Sequence, residues 1–356
     1  MIIQRSLLPC ILVIFFTGYS SAVSAMGNVS GYYNNRVQVH CHNFAHNANK
    51  VKSNPKESQQ FLDIIRDFAG EGAFINDYVN QIGKGYCQNG PNFHMSLFKP
   101  DWASKTGYLS MLDKTGFTIH ETAHYFSRYA LLSDKHYLDK SLSNQNIMVS
   151  NPVPRITTVY LKEQGIQHII HTPTFPSIKI TPYIKDRSLL NGERYKQYIS
   201  NKGRVPGGSH TQPHGVYALL DEFHAYYYSQ LVVSNIVKRI PVEKRKLYVD
   251  IPGYKGAYGL VGVGSNYLSF VEFKTYILTY FRLAKDQYPD IYKQLMQNKL
   301  LLKMFIHIDE KFEKSVAEYL KHSPVDNDKE YKGYLAELNR PENIKMMKLL
   351  REKAGV

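Results

Sequence analysis

Residues 116–130 read GFTIHETAHYFSRYA, with His120 and His124 four apart and Glu121 directly after the first histidine. Four residues is close to one helical turn, so on a helix both imidazoles leave the same face. Two neutral imidazoles so placed can hold one Zn²⁺ from the same side. Glu121 lies about 100° round such a helix, where its carboxylate can take a proton from a water at the ion and pass it to a leaving amine. No other feature constrains the fold as much. The helix must lie against a second element that supplies a third ligand. Histidine is 14 of 356 residues, so chance would produce the pattern only about 0.02 times in a chain of this length. A competing reading is available locally. Thr118 and Glu121 fit a Ser/Thr-x-x-Glu capping box, which would make Glu121 a helix cap. An earlier start, at Asp113 or at Thr115-Gly116, leaves Glu121 free inside the helix.

The rest of the chain predicts a mainly helical protein with a β-rich insert. Apolar residues recur at helical spacing over 59–82 (Phe61, Ile64, Ile65, Phe68, Phe74, Ile75, Val79), with Gly70, Gly72 and Gly83 interrupting or ending the helices. Residues 116–132 read as a helix. Within 151–184, three β-branched runs set off by prolines read as strands: 156–161, 168–171 and 178–180. Residues 203–215 read as a Gly/Pro loop, and 216–237, without Gly or Pro, as a second long helix. Residues 246–266 are glycine-rich and read as extended. From Tyr267 onward the pattern is helical. The expected class is α+β, predominantly helical, with lobes over 26–110, 111–237 and 238–356 in a single domain.

A catalytic zinc ordinarily has three protein ligands and one open position. Positions 127 and 130, where a third histidine pattern would continue, hold Ser and Ala, so the third ligand lies elsewhere. The best candidate is Glu222 on the second helix. Leu219, Ala225, Tyr226 and Ser229 share its face, and the small Ala225 permits close approach of the two helices. Asp221, about 100° away, and His224, about 200° away, are lesser options. A carboxylate in mid-helix facing a core is costly unless it meets a cation.

The His120-Glu121-x-x-His124 motif followed by a glutamate on a later helix resembles the gluzincin class of zinc metallopeptidases. The segment Asp221-Glu222-Phe223-x-Ala225 is similar to the ligand helix of lethal-factor-like peptidases. The resemblance covers only these two helices. It implies a zincin-like core, zinc held by His120, His124 and Glu222, Glu121 as the base, and a peptide or protein substrate. It also implies a tyrosine shortly before the ligand glutamate as oxyanion donor, which is Tyr217 here. Tyr226, His210 and His214 are the alternatives. The chain departs from the pattern in two ways. The segment 125–221 between the motifs is long and carries the strands, which would build the substrate groove. The acidic residue expected three or four positions after the glutamate is replaced by Ala225 and Tyr226.

Residues 1–25 have a basic start (Arg5), a short apolar run (7–16) and a small-residue end, AVSA, as in a cleaved secretory signal. The run of about ten residues is too short to span a bilayer. A secreted or periplasmic location follows as the expectation, and in that setting Cys41 and Cys87 are expected to pair. That bridge would stabilise by roughly 4 kcal/mol in the chain-entropy account. His40, His42 and His46 form a second histidine group, less suited to a metal because Cys41 would point the other way on a strand. The net charge is +14, which favours acidic surfaces, but no nucleic-acid motif or dense basic block accompanies it. The 28 tyrosines suit a groove. Two rivals to a peptidase are a zinc-stabilised binding protein and a basic surface adhesin with an accidental motif.

Overall fold

The computed structural model describes residues 63–86, 107–133, 156–200, 211–239, 266–322 and 328–356. The expected signal segment, the histidines at 40, 42 and 46, both partners of the expected Cys41–Cys87 bridge, His210 and most of 246–266 lie outside them. The described residues are predominantly helical, with one two-stranded sheet. A helical stretch at 63–68 leads into α1 (Gly72–Tyr86) and then α2 (Gly107–Ser133). The hairpin β1 (Ile156–Leu161) and β2 (Gly165–Ile170) follows. A 3₁₀ turn (Ser177–Tyr183), a short helix (Arg187–Asn191), a π turn (Tyr195–Ile199) and a helical turn (Thr211–His214) lead to α3 (Val216–Arg239). The chain ends in α4 (Asn266–Gln287), α5 (Pro289–Gln297), α6 (Lys299–His322), α7 (Lys329–Leu338) and α8 (Pro341–Ala354).

The fold is organised round α3. Its sequence is apolar or aromatic on every face, the pattern of a helix enclosed by neighbours, and α2, α4 and α6 pack on it. Tyr217, Phe223 and Tyr228 are fully buried along it. Phe223 stacks among Phe270, Phe305 and Phe312, at centroid distances of 5.1 to 6.2 Å. On the same helix the small Ser234 approaches α6 closely enough to donate to Ser315 O at 2.8 Å. Asp328 caps α7 through the Tyr331 amide, and Asn298 accepts from Leu301 N at the start of α6.

The hairpin pairs Ile156 with Ile170 through Leu161 with Gly165. Its turn closes by Gln164 N donating to Leu161 O, and Gly165 takes a positive φ of 68°. The outer edge of β1 is closed by side chains. Thr158 N donates to Ser127 Oγ of α2, Lys162 N to Glu71 Oε2, and Tyr160 lies against His224 and Tyr228 of α3. Glu71 also accepts from Lys311 of α6 and the hydroxyl of Tyr227. One carboxylate thus joins the hairpin to two helices.

Several sequence expectations need correction. The third strand is a 3₁₀ turn. A strand would put Ile178 and Ile180 on one face, whereas Ile178 is 42% exposed and Ile180 fully buried. Pro176 and Pro182 bracket a run too short for a ladder, and Lys179 N closes onto Pro176 O. Gly83 does not end its helix, which continues to Tyr86. α2 begins at Gly107, so Thr118 is a mid-helix residue whose carbonyl accepts from Thr122 Oγ1, and the capping-box reading of Glu121 fails. Gly215 separates the 211–214 turn from α3 at a φ of +55°, where a Cβ would come within 2.9 Å of Phe175 O.

Candidate metal centre

α2 and α3 pack directly on one another. Ala123 on α2 and Ala225 on α3 are both buried. α2 contributes His120 and His124 one turn apart, and α3 contributes Glu222. His120 Nε2 and His124 Nε2 are 3.2 Å apart, and Glu222 Oε2 lies 3.7 Å from the first and 3.5 Å from the second. Three ligand atoms, one from each residue, therefore point at one another across a space the size of an ion. Atoms bound ~2.1 Å from one tetrahedral ion stand roughly 3.4 Å apart, within the span of the three measured edges. Two imidazoles and a carboxylate are the donor set suited to zinc with an open fourth position. The residues present fit the ion.

Asp221 sits beside this group in a different role from its neighbour. Its Oδ2 accepts from His124 Nδ1 at 2.8 Å. A carboxylate only accepts, so the proton of the neutral ring is held on Nδ1 and the Nε2 lone pair faces His120 and Glu222. That is the tautomer a metal requires, fixed by a partner outside the ligand set. His224, two residues past Glu222, turns to the hairpin instead, with Nε2 3.0 Å from Tyr160 O. Of the three options on this helix, the structure puts Glu222 at the centre, Asp221 behind His124, and His224 in the core.

Asp221 and Glu222 bring two negative charges into a poorly hydrated crossing, which one divalent cation balances. Burial works against a charged His124, yet Glu222 and Asp221 outweigh it and hold that ring well above its ordinary value. Burial, with His124 adding to it, pushes His120 down to about 3. At most one of the two rings takes an extra proton. Burial also raises Glu121, helped by Glu222 and Asp221 and opposed by His124. A raised carboxyl about 100° round the helix from His120, near enough to feel the charges of His124, Glu222 and Asp221, has the character of a base poised closer to neutrality.

Tyr217, the tyrosine singled out from the resemblance, is placed elsewhere. Its hydroxyl accepts from Thr172 N at 2.9 Å and Asn298 Nδ2 at 3.0 Å and donates to Thr172 Oγ1 at 2.9 Å. Its ring stacks on His171 at 4.0 Å. The hydroxyl's one proton is used, and none is left for a substrate. Five residues before Glu222, Tyr217 is about 140° away round the helix. His214 packs near His171, with ring centroids 5.8 Å apart. Tyr226, about 40° from Glu222, lies with its ring 4.4 Å from that of His120. Its hydroxyl is 3.4 Å from that of Tyr198.

Two nearby residues were not legible as site residues. Arg194 and Tyr198 come from the segment between the helices, at the start of and within the π turn. Arg194 lies 4.9 Å over the Tyr226 ring and donates to Glu272 Oε2 at 2.7 Å. The sequence around them, GERYKQY, has no spacing that points to the histidines. Asp221 had a signal, being next to a candidate ligand at an angle from which it can reach the adjacent ring.

No family model, curated protein or solved structure matches this chain.

Proposed function

We propose that the protein is an exported zinc-dependent peptidase whose α2–α3 crossing is a zincin-like core, with the C-terminal helices as a supporting lobe. The observation that carries the reading is the convergence of His120 Nε2, His124 Nε2 and Glu222 Oε2 with Glu121 next to the first ligand. A zinc ion held by these three supplies Lewis acidity toward a carbonyl oxygen and lowers the pKa of water. Glu121 takes the proton of the attacking water and delivers it to the leaving amine. A structural zinc needs no such base, which favours an enzyme over a binding protein. Asp221 orients His124 through Nδ1. Tyr226, in place of Tyr217, donates to the carbonyl oxygen as charge develops on it. The substrate is a peptide or protein. Among the described residues no helix is long and apolar enough to cross a membrane. A secreted or periplasmic location rests on residues 1–25.

The test is Glu121→Gln assayed on a diverse peptide library beside wild type, with zinc measured in both. The expected result is cleavage by wild type, a loss of about 10³-fold or more in the variant, and equal zinc. Equal cleavage by the two proteins, or a wild type that binds zinc but cleaves nothing, would defeat the peptidase reading.

A further inference from the structure

Arg194 is an arginine drawn into the interior by an acidic partner. Its side chain is 15% exposed, that of Glu272 on α4 only 2%, and Arg194 Nη1 donates to Glu272 Oε2 at 2.7 Å. Removing both groups from water is costly, and a buried pair of this kind is often no more stabilising than apolar residues of the same size. Its place in the fold therefore asks for another reason. The Glu272 carboxylate is itself confined: a Cβ on Gly192 would come within 3.3 Å of its Oε1 and 2.9 Å of the Tyr334 hydroxyl. The guanidinium is thus held by a fixed anchor.

What the anchor holds it against is Tyr226. The guanidinium carbon is 4.9 Å from the Tyr226 ring centroid, so the cation lies over the face of that ring. A guanidinium has donors only. Arg194 therefore offers the Tyr226 hydroxyl no acceptor, and the single phenolic proton is left for other oxygens. One direction open to it is Tyr198 Oη, at a long 3.4 Å. The Tyr226 ring sits at 4.4 Å from that of His120. We infer that Arg194, anchored by Glu272, is a positioning residue that fixes Tyr226 as a hydrogen-bond donor toward an oxygen anion at the His120/His124/Glu222 centre.

This inference rests on the peptidase reading and adds the group that sets the direction of its oxyanion donor. The phenolic proton, for which Tyr198 Oη at 3.4 Å is only a distant partner, turns to the substrate oxygen as that oxygen gains charge.

The experiment uses the zinc-loaded full chain and two peptide inhibitors with the same side chains. One carries a phosphonate, which presents a second anionic oxygen to a donor. The other carries a thiol, which does not. Arg194→Lys keeps a cation for Glu272 but loses the planar fork. Its effect is compared with Tyr226→Phe and with the double variant, by calorimetry and zinc analysis. The expected result is a phosphonate affinity lowered about 10²-fold by either single change, thiol affinity within about threefold of wild type, and full zinc content. The double variant should be no weaker than Tyr226→Phe alone, because Arg194 acts through Tyr226. Additive losses, or equal losses for thiol and phosphonate, would overturn the assignment. Arg194→Gln/Glu272→Gln, which removes both charges together, serves if the lysine variant does not fold. It should show the same selective loss, and full phosphonate affinity there would also overturn it. A wild type that takes up zinc but binds neither inhibitor would instead defeat the peptidase reading itself.

Discussion

Asp221→Ala isolates the contribution of a group outside the ligand set that holds one of its members, His124. Asp221 is 16% exposed and His124 22%, and the bond between them is 2.8 Å. A well-aligned hydrogen bond to a carboxylate in such a setting is worth ~1.5–3 kcal/mol. Removing it frees the His124 ring to rotate and to carry its proton on Nε2, the atom 3.2 Å from His120 Nε2. It also removes one of the two negative charges that balance a divalent ion. Partners of this kind change metal affinity by about 10- to 100-fold, or ~1.4–2.7 kcal/mol. Asp221→Asn offers the same geometry with a neutral acceptor, so it should lose only the charge, about tenfold. The assay is competition for zinc against a chromophoric chelator at fixed pH and ionic strength. Thermal unfolding of the metal-free proteins separates affinity from stability. Zinc affinity of the alanine variant within about twofold of wild type, well below the range for such partners, would refute the orienting role.

Two further outcomes follow from the fold. Gly215→Ala should lower the urea midpoint by the equivalent of ~1–3 kcal/mol, because a side chain at φ +55° would press on Phe175 O and Tyr280. An unchanged midpoint would show that the 211–216 junction relaxes freely. Asp309 is fully buried, and burial lifts its carboxyl from 3.8 to about 6 even with Lys274 Nζ 2.7 Å away and Arg351 at 3.7 Å. The folded value lies above the unfolded one, so the folded state holds that proton more tightly. The contribution of Asp309 to stability therefore grows as pH falls from about 6 toward 3.8 and is lost as pH rises through 6. Asp309→Asn should flatten the stability profile in that window, and parallel curves for the two proteins would contradict it.

The two helices that carry the site were readable because their signals are local. His120 and His124 need only the helical period, and α3 lacks any breaker between Val216 and Arg239. Helical angle and the small Ala225 on its face favour Glu222 over Asp221 and His224, and Glu222 Oε2 lies 3.7 Å from His120 Nε2 and 3.5 Å from His124 Nε2. The resemblance points to Tyr217 with Tyr226 as an alternative; the Tyr217 hydroxyl meets Thr172 and Asn298, while the Tyr226 ring lies beside that of His120. The start of α2 was missed because Asp113, Thr115 and Gly116 offer cap chemistry in the middle of a helix that packing sustains. The 178–180 run was misread because β-branched content says nothing about whether a partner strand exists. Arg194 and Glu272 meet across 78 residues, a contact fixed by tertiary packing and not by any pattern within either segment.

The central claim is that His120, His124 and Glu222 together hold one zinc ion. It is tested most directly by counting zinc per chain in purified, chelator-rinsed protein, wild type beside Glu222→Ala. The account predicts about one zinc in wild type and far less in the variant, since two imidazoles alone leave a catalytic-type site a ligand short. Zinc retained equally in both would remove Glu222 from the ligand set, and no zinc in either would reduce His-Glu-x-x-His to an ordinary stretch of α2.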